Sequence, residues 1–312
     1  AGGPALGGEI VSLFGWRAVF LANLPFLALA AILLHLYPLP AGRIQTQRSL
    51  RGLTRSLDFT GIGLLALSLA FLIVASRLDG ARFAAVLLAA ALAGVVFVGW
   101  EAKAAAPIFD PHLFSLPAFS AGTLMIALQN FAMYGLLFQL PQFFSVFRGT
   151  MPREIGYMLF VMMIGMVVAA PVGGQLTDRI GARRTALAGS LLLLSGMGQL
   201  WWLGSFETPT DAMTALLMFG LGIGLCNAPA QAASMGAVVP GQAGMAAGVS
   251  STMRYLGGIL SILVLGTVLG NDAVVSLARH DLMIRLFTVA LVLSTLLSRR
   301  LPGADIAAAR SS

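Results

Sequence analysis

The chain has 312 residues, of which 58% are apolar and 10% charged, against about a quarter charged in an ordinary soluble domain. A soluble fold of this size needs more surface polarity, so the composition excludes a soluble enzyme and, despite the net charge of +7, a nucleic-acid-binding protein. A single cysteine, Cys226, excludes an intramolecular disulfide and a cysteine-based metal site.

The implied class is an all-α, polytopic membrane protein, whose spans each need about 20 mainly apolar residues. Such runs fall at 17–37, 58–77, 83–101, 118–140, 154–176, 184–204, 211–233, 247–270 and 282–299, nine full spans after a stub at 1–13. The connections RLDGAR, RGTMPRE, LTDRIGARR and SFETPTD leave no room for a soluble domain. A longer loop, LPAGRIQTQRSLRGLTRSLD, carries Arg43, Arg48, Arg51 and Arg55. With that loop inside, strict alternation also puts Lys103, Arg179, Arg183, Arg184, Arg299, Arg300 and Arg310 inside. Arg17, Arg77, Arg82, Arg148, Arg153, Arg279 and Arg285 then fall outside, a bias of eleven to seven that favours a cytoplasmic C-terminus.

Ligand sites inside membrane bundles lie between helices, near kinks and beside a few polar groups. In 118–140, Asn130 and Tyr134 share a face, with Gln139 and Gln142 nearer the outer end around Pro141. In 211–233, Asn227 and Gln231 straddle Pro229, which removes a backbone hydrogen bond and exposes a carbonyl for Asn227 or water. In 247–270, Ser251, Arg254, Gly258 and Ser261 line one face. The alternative reading of each amide is interhelical glue, worth about 0.6 kcal/mol. For Arg254 the functional reading leads, because charge inside a membrane is costly, with a snorkelling anchor as the alternative. Asp58, Asp110, Asp178, Glu154, Asp211 and Asp281 fall at span ends or in loops, and Glu9 near the outer end of the stub, so no carboxylate is expected at mid-span.

Other patterns carry nothing. GLGIGLCN has Asn227 where a dinucleotide loop needs its third glycine, and Gly220 and Gly224 read better as helix packing. His35, His112 and His280 are too scattered for a metal site or proton relay, the Met residues form no soft-metal cluster, and no nucleophile–base pair supports an enzyme.

The stretch GGQLTDRIGARR is a turn between two spans, with Asp178 expected near the start of the next helix and Arg179, Arg183 and Arg184 available to pair with it and with lipid phosphates. By itself it is a basic cytoplasmic turn. It also resembles the G-x-L-x-D-R-x-G-R-R/K signature of the major facilitator superfamily, with Gly174, Leu176, Asp178, Arg179, Gly181 and Arg184 in place and Ala182 where a basic residue is usual. The resemblance implies a gating latch built from Gly174, Asp178, Arg179, Gly181, Arg183 and Arg184. The opening GGPALGG is similar to the end of the antiporter motif G-x-x-x-G-P-x-x-G-G, through Gly3, Pro4, Gly7 and Gly8. GWRAVFLANLPF resembles the W-R-W-I-F-x-I-N-x-P junction typical of the same proteins. Further on, DFTGIGLLALSLAFLIVASRLDG and FVGWEAKAAAPIFDPHLF look like the two extra central helices of the fourteen-helix branch. YGLLFQLPQFFSVFRGTMPREIGYMLF and MFGLGIGLCNAPAQAASMGAVVPGQAGMAAGVSSTMRYLGG resemble its later helices.

The resemblance is thus to the EmrB/QacA-like drug:proton antiporters, and it implies a major facilitator fold. It organises the chain as 1–37, the end of an N-terminal bundle; 38–57, a basic cytoplasmic loop; 58–101, two central helices; 102–117, a second cytoplasmic loop; 118–300, a six-helix bundle; and 301–312, a cytoplasmic tail. The chain is then expected to begin inside the fifth helix rather than at a start or a cleaved leader. The function implied by the resemblance is export, across the inner membrane, of small amphiphilic, cationic drugs. Export would be driven by the proton gradient without a cofactor, with the lipid bilayer and a periplasmic adaptor protein as partners. The alternatives are an exporter of metabolites such as organic acids or siderophores, which Arg254 would suit, and a non-transporting scaffold or degenerate paralogue.

Overall fold

The computed structural model describes residues 10, 15–36, 58–78, 80–104, 107–270 and 276–303. Gly3, Pro4, Gly7 and Gly8 and the arginine-rich loop lie outside the described residues. Among the described residues the fold is all-α, without strands, and each of the nine expected spans is helical: α1 (Trp16–Leu21), α2 (Leu24–Leu36), α3 (Phe59–Ala75), α4 (Gly80–Glu101), α5 (Pro117–Arg148), α6 (Pro152–Ile180), α7 (Ala182–Leu200), α8 (Pro209–Gly236), α9 (Ala243–Leu269) and α10 (Leu277–Ser298). Six of these, α4, α5, α6, α8, α9 and α10, are long and apolar enough to cross a membrane. The first expected span is broken instead at Ala22–Asn23. Pro25 stands at the second position of α2, where its missing N–H costs nothing, so a new helix starts there.

Prolines mark the starts. Pro117, Pro152 and Pro209 each open a helix. The start of α8 is further fixed by a capping box, Asp211 accepting from the Thr208 amide at 2.8 Å. Inside the spans proline does not stop a helix. α5 runs through Pro141 to Arg148, where the expected span ended at 140, because surrounding helices re-satisfy the freed backbone groups. Its 32 residues make about 48 Å of helix, well over the roughly 30 Å hydrocarbon thickness.

α8 is the centre of the bundle. It lies between α6 and α7, and its other neighbours are α5 and, lightly, α9. A Cβ on Gly220 would meet the Met162 carbonyl oxygen of α6, and one on Gly224 the Met166 carbonyl oxygen; one on Gly222 would meet the Leu193 amide nitrogen of α7 at 2.6 Å. Three glycines therefore let α8 touch both neighbours backbone to backbone, the packing membrane helices favour. α5 packs on α9 and α10, while α3 and α4 form a hairpin beside α9. The main core gathers Phe143, Phe144, Phe219 and Phe287 with Leu136, Met158, Met197 and Leu216. Outward faces carry exposed Leu88, Val95, Val168, Leu191 and Val289, the surface expected against lipid tails.

Candidate functional site

Polar side chains form a seam where α5, α8 and α9 meet. At one end Thr123, Ser234 and Ser250 are buried together, Thr123 Oγ1 lying 3.3 Å from each of the other two hydroxyls. Ser234 donates in turn to the Ala230 carbonyl at 3.0 Å. One turn on, Arg254 of α9 meets Gln231 of α8, its Nη2 donating to Oε1 at 3.3 Å. Arg254 Nε is buried without a partner. Among the described residues no Asp or Glu oxygen lies within 4.0 Å of the guanidinium. Beyond it Gly258 faces the Tyr134 ring, 2.8 Å from where a Cβ would sit, and Ser261 is buried with its hydroxyl unpartnered. The residues recur on each helix at three, four or seven: Thr123, Asn130, Tyr134; Ser234, Gln231, Asn227; Ser250, Arg254, Gly258, Ser261.

Asn130, Tyr134, Asn227, Gln231 and Arg254 are all half-buried. Asn130 donates to its own helix at the Ile126 carbonyl, 2.7 Å away. The Asn227 side chain has no partner among the described residues and does not use a carbonyl freed by Pro229. Two expectations, the lining role of Gln139 and the place of Ser251, need correction. Gln139 is fully buried and donates to the His280 carbonyl at 2.8 Å, which ties α5 to the start of α10; it is interhelical glue rather than a lining group. Gln139 and Gln142 stand about 13 and 18 Å along α5 from Asn130, away from the seam. On α9 the stripe begins at Ser250, not Ser251, which is exposed. One residue is 100° of helix, and two adjacent serines give no means of choosing the phase.

The expected latch is a one-residue turn. Gly181, at φ 87°, ends α6 and starts α7, a conformation L side chains rarely adopt. Its amide donates to the Thr177 carbonyl at 3.0 Å, and its carbonyl accepts from Thr185 Oγ1 at 3.0 Å. The Arg183 amide donates to the Pro302 carbonyl at 3.2 Å, so the start of α7 is held by the segment after α10. Leu301 there is buried among Ala121, Ala182, Ala186 and Ala233. Asp178 and Arg179 occupy the last turn of α6 rather than the approach to α7, so the local dipole favours the arginine and not the aspartate. The expected pairing of Asp178 with Arg179, Arg183 or Arg184 is not made within 4.0 Å. Asp178 and Arg179 are adjacent, and i,i+1 side chains do not face each other. Gly174, one turn earlier, faces open space. Asp178 instead lines a cavity of about 650 Å³ with Pro117 of α5, Ala233 of α8 and Arg300–Gly303.

The sequence matches the family model described as Major Facilitator Superfamily over residues 1–262. The chain belongs to the major facilitator superfamily. Multidrug resistance protein Stp of Mycobacterium tuberculosis is 30% identical to it over 285 residues, 89% of this chain and 51% of Stp. Drug efflux pump JefA of the same organism is 31% identical over 275 residues, covering 86% and 52% of the two chains. The Tetracenomycin C resistance and export protein of Streptomyces glaucescens is 30% identical over 282 residues, covering 87% and 50%. The chain spans about half the length of these curated relatives. It is a multi-pass membrane protein of a transporter family, not an enzyme.

This facilitator also holds a carboxylate that sequence reasoning passed over. Glu101, the last residue of α4, is 1% exposed. Its Oε2 accepts from the Phe109 amide at 3.1 Å, and its Oε1 is buried without a partner. That oxygen points to Gly61, where Asp58 Oδ2 also stands 2.8 Å from the place a Cβ would take. Asp58 caps α3 by accepting from the Gly61 amide at 2.9 Å, and it accepts from Trp100 Nε1 at 2.8 Å. The signal was the pair Trp100–Glu101 closing an apolar run. Phe97, Phe109, Phe114 and Phe119 continue the junction as an aromatic chain with centroids 5.5, 5.7 and 5.5 Å apart. Beside it an apolar cavity of about 650 Å³ opens between α3, α4 and α9. Among the described residues no group of three or more His, Cys, Asp or Glu is placed to hold a metal.

Proposed function

We propose that the whole protein exports small amphiphilic drugs in exchange for protons, by alternating access, from the inner membrane. The observation that carries this reading is the half-buried polar seam around Arg254 in an otherwise apolar wall. The relatives named for multidrug resistance, drug efflux and tetracenomycin C export support the cargo class. In this reading Asn130, Tyr134, Asn227, Gln231 and Arg254 line the pathway. Gly174, Asp178, Arg179, Gly181, Arg183 and Arg184 form a cytoplasmic latch, with the cavity beside Asp178 open to a contact from the other half of the transporter. Gly3, Pro4, Gly7 and Gly8 supply the close helix approach of the antiporter motif. Residues 58–101 are the two central helices of a fourteen-helix plan, 118–300 is its second bundle, and the C-terminus is cytoplasmic. A periplasmic adaptor protein receives the cargo, and the proton gradient replaces any cofactor.

The test is efflux of a neutral amphiphilic dye, Nile red, from cells producing the full-length protein. Efflux that stops when the gradient is collapsed is the expected result. Efflux indifferent to the gradient refutes the coupling, and no efflux of any amphiphilic dye refutes the cargo class.

A further inference from the structure

We infer that Arg254 and Gln231 form a carboxylate-binding site, so that the cargo of this exporter includes amphiphiles bearing a carboxylate. The inference rests on the pathway reading and narrows it.

Arg254 is eleven residues into α9, about 16 Å along the axis, and meets Gln231 five residues, about 8 Å, before the end of α8, so it sits toward the end of the bundle where α8 stops and α9 starts. A snorkelling arginine would extend toward that end. This one is turned across to α8 instead, where it makes a long, single bond to Gln231. A guanidinium carries five donors in a planar fork, and the edge made by Nε and one Nη takes a carboxylate with two parallel bonds. Nε is the buried atom here that has no partner. Gln231 directs its Oε1 at Arg254, which leaves its NH₂ as a donor at the same place. Asn227, one turn along α8, adds a side chain with no partner among the described residues. The Tyr134 ring, which lies against Gly258, supplies an apolar flank. Among the described residues the seam thus offers donors and one fixed positive charge, and no carboxylate lies within 4.0 Å of that charge. Such a site attracts an anionic head and repels an ammonium.

The experiment compares three fluorescent amphiphiles, 1-pyrenebutyrate, its neutral amide and 1-pyrenebutylamine, binding to the full-length protein in nanodiscs. The acid should bind about ten- to a hundredfold tighter than the amide, and the amine more weakly than either. Arg254→Gln should erase the difference between acid and amide. Arg254→Lys, which keeps the charge and loses the fork, should retain only part of it. Equal binding of acid and amide by the wild-type protein overturns the inference; it is also what an acidic side chain elsewhere in the protein, already holding Arg254, would produce. An acid preference that survives in Arg254→Gln overturns it too. The readout needs no gradient and no turnover, so it stands or falls separately from dye efflux.

Discussion

Replacing Gly222 with alanine tests the packing on which the site depends. The added Cβ would lie 2.6 Å from the Leu193 amide nitrogen and 2.7 Å from the Gly189 carbonyl oxygen, both backbone atoms of α7. Ordinary contact begins near 3.4 Å, so α7 and α8 must part by about 0.8 Å. Neither atom belongs to a flexible side chain that swings aside, and a gap of that size forfeits a quarter to a half of each dispersion contact along the seam. Overpacking of this kind costs about 1–3 kcal/mol. Gly198→Ala on α7 is the control: nothing lies within 4 Å of its new methyl, and alanine is the better helix former by about 1 kcal/mol. The assay is built in, because Cys226 is the chain's one cysteine and is fully buried. Heating the protein in detergent with a thiol-reactive dye reports when the α7–α8 interface opens. Gly222→Ala should lower the midpoint, and Gly198→Ala should leave it unchanged or raise it. A wild-type midpoint for Gly222→Ala would refute the backbone-to-backbone contact.

Three further outcomes are expected. Gly181→Ala forces a side chain to φ 87° and should cost about 1–2 kcal/mol in the same thermal assay. Asp178→Asn removes an exposed, unpaired charge, so its stability should stay within about 0.5 kcal/mol of wild type while efflux by the full-length protein falls; a large stability loss would show a partner was missed. Gln139→Leu leaves the buried His280 carbonyl without its donor and should destabilise by about 1–3 kcal/mol without changing pyrenebutyrate affinity, whereas a loss of affinity would return Gln139 to the pathway.

The spans were legible because twenty apolar residues in a row have one solution in a bilayer, and Arg254 stood out as a charge within such a run. Its partner was not legible, since Gln231 lies 23 residues away and only the packing of α8 on α9 brings them together. Helix ends are less legible: the apolar run ending at 140 hides the eight further residues of α5, and Asp178 reads as a helix start because the turn behind it is a single glycine. Glu101 escapes notice because a carboxylate at the end of a span reads as an interface residue. Its burial comes from Gly61 and the folded-back segment at Phe109, neither of which is local to it in the way helix periodicity registers. Gln139 shows the converse error, where a polar residue beside a proline in a span reads as a lining group and is in fact a tie.

The glycines of α8 also act as a compass for Asn227 and Gln231. The stripe that presses Gly220 and Gly224 onto α6 continues, at spacings of three and four, into Asn227 and Gln231. A helix cushioned by leucines can roll by a few degrees as side chains change rotamer; one seated on its own backbone has no such play. The bearing of Gln231 toward Arg254 is therefore set two to three turns away, by atoms that no ligand touches. Side chains at 227 and 231 become interchangeable without re-aiming the helix, which is the condition under which one scaffold can diversify its substrates while its mechanics stay fixed.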